Sequence, residues 1–229
     1  MSSVSRVARS APPRPRLRRC PTGKCRDALV PSGILGARSH PAGDTVEVTT
    51  MIAVITGPPG AGKTSVCRRL ADRAGPSVHF EADVFWAFLR PERIAPWLPE
   101  STAQNEIVTD AVAAAVGRFA SGGYPVFFDG IIGPWFVDRF VSGLNQPASS
   151  VHYVVLRPSE ATAHGRAFER VDRPLRDDAA IRKMYEAFRD LGPYERHAID
   201  TTDESPDATA ERVAKLLASG DHRLLTTNA

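Results

Sequence analysis

Cysteine is scarce: the 229 residues include only three. Cys20 and Cys25 stand five apart with no histidine beside them, and Cys67 lies far downstream, so neither a disulfide framework nor a metal-ligand spacing is present. Aromatic residues make up 7% of the chain, and no apolar run approaches the length needed to cross a bilayer. Both absences predict a soluble, cytoplasmic protein with no membrane partner. A dominant charge is also lacking once the chain is divided. Residues 1–50 hold nine of the 29 basic residues against three acidic ones, which leaves 20 basic and 23 acidic side chains for the rest. A mildly acidic body argues against a nucleic-acid-binding face.

The first 50 residues are rich in Arg, Pro, Ser and Gly and show no hydrophobic periodicity, so they cannot bury enough surface to fold alone. An Arg- and Ser-rich targeting peptide is one reading, but prolines at 12, 13, 15 and 21 spoil its amphipathic helix. A twin-arginine signal would need an apolar core after Arg18-Arg19, and Cys20-Pro21-Thr22-Gly23-Lys24 is not one. A third reading starts the natural chain at Met51. Whichever start holds, residues 1–50 are expected to be a disordered basic extension and 51–229 a single folded domain.

From Met51 onward short β-rich runs alternate with longer helical stretches, the pattern of a parallel sheet covered on both faces. Strands are predicted at 52–56, 78–81, 125–128, 151–156 and 198–199, the last being the shortest. Helices are predicted at 63–74, 102–120, 135–144, 160–171, 179–191 and 208–219. Gly75-Pro76 and Gly122-Gly123 supply stops, Pro134 a first helical position, and Ser159, Asp178 and Asp207 N-caps. In the 102–120 helix, apolar residues at 107, 108, 111, 112, 115, 116 and 119 predict the buried stripe.

Between the first predicted strand and helix the chain reads Gly57-Pro58-Pro59-Gly60-Ala61-Gly62-Lys63-Thr64, followed by Ser65, a full match to G-x-x-x-x-G-K-[ST]. The glycines let backbone N–H groups curl around a phosphate, Lys63 reaches toward the β and γ oxygens, and the Thr64 hydroxyl can ligate Mg²⁺. Residues 57–65 are therefore the predicted ATP site. Ligands bind at the carboxyl ends of strands in such sheets, which singles out Asp83 after the second strand and Asp129 after the third. Either carboxylate could accept a proton from an attacking hydroxyl, hold Mg²⁺, or simply cap the next turn. Glu81 shares a face with Asp83 in strand alternation and stays in reserve.

One further absence bears on the reaction. Hydrolytic Walker-type ATPases usually follow the third-strand Asp with Glu, but Gly130 follows Asp129 here, and no Asn-Lys-x-Asp guanine-reading motif occurs. Both absences favour transfer to a bound acceptor over attack by water. Arg166, Arg170, Arg173 and Arg176 form a basic run, in which Arg173 precedes Pro174 in a predicted loop. A loop carrying Arg can close over a triphosphate and stabilise the transferring group. Trp86, Trp97 and Trp135 are assigned to packing. Arg90, Arg93, Gln104 and Arg139 are the polar residues expected near an acceptor pocket.

With these residues identified, the stretch from Met51 to about Leu217 resembles the small P-loop kinases, a group that includes shikimate, gluconate and adenylate kinases and chloramphenicol phosphotransferase. The run from Gly165-Arg166 to Arg173-Pro174-Leu175 looks like the shikimate-kinase pattern of an adenine-stacking Arg followed by a lid. The resemblance implies that Arg166 lies against adenine, that Arg173 reaches the phosphates, and that Asp83 contacts the acceptor hydroxyl. Asp129-Gly130 is similar to adenylate kinases, but Ile131-Ile132-Gly133 departs from the Phe-Pro-Arg found there and from the Gly-Gly-Gly of shikimate kinase. The expected fold is α/β, a three-layer P-loop NTPase with a five-stranded parallel sheet and a lid segment. The expected activity is ATP- and Mg²⁺-dependent phosphorylation of a small-molecule hydroxyl, with Lys63, Asp83 and Arg173 catalytic and Thr64 and Asp129 at the metal. A nucleoside or nucleotide kinase, or a nucleotide-sensing module with weak ATPase activity, are the alternatives.

Overall fold

The apolar run from Met51 becomes a strand buried at every residue after the first, β1 (Met51–Thr56), as a central parallel strand must be. It belongs to a computed structural model that describes residues 50–90, 93–145, 150–169 and 177–224. The expected extension, apart from Thr50, and the Arg173 lid both lie outside the described residues. The other strands are β2 (Val78–Glu81), β3 (Val126–Asp129), β4 (Ser150–Leu156) and β5 (Ala198–Ile199). They form one sheet in the order β2-β3-β1-β4-β5, with every pairing parallel. Asp129 pairs in register with both Ile55 and Glu81, which brings the carboxyl ends of β1, β2 and β3 to one edge.

Alternation along the strands sorts the core into two layers. Ala53 and Ile55 of β1 face α1 (Lys63–Arg73) and α7 (Pro206–Ser219), packing with Cys67, Leu70 and Val213. Ile52 and Val54 face the opposite way, into the layer that holds Val112 and Val116 of α3 (Thr102–Ser121) and Phe140 of α4 (Pro134–Gly143). The predicted three-layer α/β architecture is therefore present.

The buried stripe of α3 differs from the apolar pattern. Val108, Val112 and Val116 point inward as expected, but Ile107 and Phe119 are exposed, and Asn105, Thr109, Ala113, Gly117 and Ala120 complete the buried face. Small residues sit there because α4 comes very close: a Cβ on Gly117 would lie 1.9 Å from the Leu144 carbonyl oxygen.

Two helices begin earlier than predicted. Ser205 caps α7 by accepting from Ala208 N–H, with Pro206 at the first helical position, while Asp207 instead pairs with Arg69. Asp177 caps α6 (Asp178–Glu186) through Ala180 N–H, and Asp178 pairs with Arg182. That helix stops short of the predicted 191. Phe188 and Arg189 turn into tighter i−3 hydrogen bonds, and Arg157 takes up their carbonyl oxygens at 3.3 and 3.2 Å. A five-residue helix not foreseen in the sequence, α2 (Asp83–Ala87), follows β2, so strand alternation does not extend to Asp83. The remaining helix, α5 (Glu160–Phe168), is capped by Ser159 as expected.

At the far edge of the sheet the last described residues run back beside β4. Tyr153 N–H donates to His222 O and Leu224 N–H to Val151 O. His152, His197 and His222 are buried there, His197 against the rings of Tyr153, Tyr194 and His222.

Candidate active site

The segment 57–62 needs conformations that only glycine adopts cheaply. Gly57, Gly60 and Gly62 have φ of 139°, 76° and 93°. Close approach adds a second constraint at two of them: a Cβ on Gly57 would meet Leu156 O at 2.2 Å, and one on Gly60 would meet Ala163 O of α5 at 1.9 Å. Gly62 has nothing within 4 Å of such a Cβ, so its exposed side is open. It is also the N-cap of α1, with no side-chain cap and no acidic residue in the first turn. The leading amides of α1 are thus left for an anion. Lys63 Nζ donates to the carbonyls of Gly57 and Pro58 at 3.0 and 2.9 Å, bridging the two ends of the loop.

The loop opens onto a cleft of about 1090 Å³. Pro59, Gly60, Gly62, Lys63, Thr64 and Ser65 line it, while Ala61 is buried beneath and Gly57 and Pro58 stand behind Lys63. Asp83, Asp129 and Arg166 line the same cleft, so every predicted site residue among those described that carries a functional side chain comes together there. Arg166 also donates to Thr202 O at 3.3 Å. Glu81, the reserve carboxylate, is absent from this lining.

Asp129 is buried at the end of β3 and hydrogen-bonds the Thr64 hydroxyl. Burial alone would raise its carboxyl, but the hydrogen bond from His79 and the nearby charge of Lys63 outweigh that and hold it below the usual carboxylate range. His79 Nε2 lies 3.4 Å from Asp129 Oδ2. The sequence reading missed His79, although its position two residues before Glu81 on a strand beside β3 was a usable signal. Cys67 sits under this group with its thiol toward Phe128 O at 3.5 Å, and burial pushes that thiol well up, so it is a packing residue.

The far side of the cleft is aromatic. Trp86, Trp97 and Trp135, assigned to packing from the sequence, all line it, with Phe136, Met184 and Phe188. Of the polar candidates only Arg93 lines the cleft. Gln104 holds the backbone of Ile94 from both its amide atoms, and Arg139 is engaged with Asp110 and Glu106. The wall after β3 is fixed by Ile132, whose N–H donates to Thr56 Oγ1 and whose carbonyl accepts from Tyr153 Oη.

A family model described as an AAA domain matches residues 52–191, which takes in the loop, both carboxylates and the cleft walls. The chain belongs to the AAA_33 family. The matched range spans the strand, the glycine-rich loop and Asp129-Gly130 of this chain. Among solved structures, a sugar kinase from Janibacter sp. HTCC2649 superposes with a TM-score of 0.59 at 22% identity, covering 73% of this chain and 94% of that one. The tunicamycin resistance protein of Deinococcus radiodurans gives 0.56 at 22% identity over 73% and 95%. A gluconokinase from Sinorhizobium meliloti 1021 gives 0.51 at 19% identity over 76% and 95%. These likenesses establish that the AAA_33 chain has the fold of small P-loop kinases. No curated protein matches the chain by sequence.

Proposed function

We propose that this protein transfers the γ-phosphoryl group of ATP to a hydroxyl of a small molecule. The observation that carries the reading is the meeting of Lys63, Thr64, Asp129 and Asp83 in one cleft whose opposite wall is large and apolar. A hydrolase needs room for water beside its phosphates; this cleft has room for an organic acceptor.

Loop amides and the first turn of α1 hold the β-phosphate, and Lys63 shifts from its loop carbonyls toward the β,γ oxygens. Thr64 and Asp129 offer a hydroxyl and a carboxylate already in contact, oxygen donors that suit Mg²⁺. When bound, that ion neutralises charge on the phosphate oxygens. Asp83 at the start of α2 orients the acceptor hydroxyl and takes its proton as the oxygen bonds to the γ-phosphorus. The bond from that phosphorus to the β,γ-bridging oxygen breaks, and ADP leaves. Arg166 lies toward the base. Arg173 is assigned to covering the phosphates and excluding water.

The test is incubation of the full chain with radiolabelled ATP and a panel of hydroxyl compounds. We expect label in one organic product, dependent on Lys63 and Asp83. Release of inorganic phosphate at a rate indifferent to every acceptor would overturn the proposal.

A further inference from the structure

Among the described residues, the cleft lining contributed by the segments around α2, α4 and α6 is mainly aromatic and apolar. Trp86, Trp97, Trp135, Phe136, Met184 and Phe188 form its walls, and the side chains of Asp83, Arg93, Asn105 and Lys183 are the hydrogen-bonding exceptions on its α2, α3 and α6 sides. Asn105 has both its amide donors engaged. Its amide Nδ2 donates to Pro96 O at 2.7 Å and Ser101 Oγ at 2.9 Å, and its Oδ1 accepts from Trp86 Nε1 at 3.2 Å. Those same bonds fix the indole of Trp86 and leave its only donor without capacity for a ligand.

Trp135 is held just as firmly. Its ring lies over Gly133, where a Cβ would fall 2.2–2.4 Å from the indole carbons, and packs edge-to-face on Phe188 with centroids 5.7 Å apart. Yet Trp135 is 52% exposed. A half-exposed indole packed on Phe188, in the same cleft as a second indole whose N–H is occupied, offers a platform for apolar or aromatic surface. A polyol or sugar acid would leave most of its hydroxyls without partners against such walls, at the cost of desolvating each one.

Resting on the phosphotransfer reading, we infer that the acceptor is an apolar, ring-bearing alcohol, one hydroxyl of which reaches Asp83 while its ring system lies against the tryptophan-lined wall. Among the described residues, Arg68, Arg93 and Lys183 also line the cleft, the last two exposed, and tolerate one polar end on such a molecule.

All three tryptophans of the chain line this cleft, so intrinsic fluorescence reports its occupancy without background. The full chain, saturated with a non-hydrolysable ATP analogue, is titrated with cyclohexylmethanol and 3-phenylpropan-1-ol in one arm and with gluconate, glucose and glycerol in the other. We expect saturable fluorescence changes with the apolar alcohols and affinities at least about tenfold weaker for the polyols. Trp135→Ala should weaken the apolar alcohols by about tenfold while leaving the affinity for the nucleotide analogue unchanged. Polyols binding as well as the apolar alcohols, or neither series binding, would overturn the inference. Failure of the nucleotide analogue itself to bind in a Lys63-dependent manner would instead overturn the phosphotransfer reading.

Discussion

His79 and Asp129 reach each other across the pairing of β2 and β3, imidazole Nε2 to carboxylate Oδ2 at 3.4 Å, with the Thr64 hydroxyl on the same carboxylate. The histidine therefore positions a group that the proposed chemistry depends on. Replacing it by alanine leaves a buried carboxylate with one partner fewer. We expect His79→Ala to lower kcat by about tenfold or more, a typical loss when a supporting hydrogen bond is removed from a metal ligand. Nucleotide-analogue affinity should fall with Mg²⁺ present and stay level in EDTA. Equal losses in both conditions would mean that His79 serves only the fold.

The glycines of the loop separate stability from binding. Gly60→Ala combines φ of 76° with a Cβ 1.9 Å from a backbone oxygen of α5. Gly62→Ala has φ of 93° but open space. We expect Gly60→Ala to cost about 3 kcal/mol or more through strain plus a backbone clash, against about 1–2 kcal/mol for Gly62→Ala through left-handed strain alone. Urea unfolding measures both. Gly62→Ala should nonetheless lose nucleotide affinity, since its added methyl points to the open side of the loop.

Asp83 carries the acceptor chemistry in the proposed scheme. Asp83→Asn keeps its size and its place at the start of α2 but cannot take a proton, so turnover should fall about 10²- to 10⁴-fold. Binding of the ATP analogue should be nearly unchanged. Parallel loss of both would place Asp83 with the nucleotide instead.

The buried histidines at the far edge give a pH signature unrelated to catalysis. Burial pushes His197 down to about 4, helped by the charges of Arg196 and His222 and opposed by a backbone hydrogen bond with Tyr153. Burial lowers His152 too, with Arg223 and His222 adding to it. His222 is lowered mainly by burial, with Arg196 and Arg212 contributing, against the opposing effects of Tyr153 and Asp221. A histidine buried neutral takes up its proton only on unfolding, so its contribution is complete above the free value of about 6.5 and is lost as pH falls toward 4. His197 alone accounts for about 3 kcal/mol across that window. Depressed carboxylates such as Asp129 act only at lower pH. Urea midpoints should drop steadily between pH 7 and pH 4, and His197→Gln should flatten the slope. An unchanged midpoint down to pH 5 would show that these imidazoles titrate freely.

The sheet was readable because buried parallel strands are continuous β-branched runs, and the loop because its glycines, Lys63 and Thr64 lie contiguous in sequence. Helix caps were harder. Ser205-Pro206 and Asp177 compete with an acidic neighbour one or two residues on, and only the ion pairs of Asp207 and Asp178 reveal which residue caps. The stripe of α3 was misplaced because close helix packing selects Ala113 and Gly117 over larger apolar residues. The tryptophans were read as core because nothing local distinguishes a packed indole from one that walls a cleft. Their role depends on Asn105 and Gly133, distant in sequence or inconspicuous beside them.

The most direct measurement follows the γ-phosphoryl group itself. The chain is incubated with ATP carrying ¹⁸O in the γ-phosphate and an apolar ring-bearing alcohol, and the products are resolved by mass spectrometry. The account predicts an organic phosphate that carries the labelled oxygens on the former hydroxyl, formed at a rate that collapses in Asp83→Asn. Label found solely in inorganic phosphate, at the same rate with and without any alcohol, would contradict it.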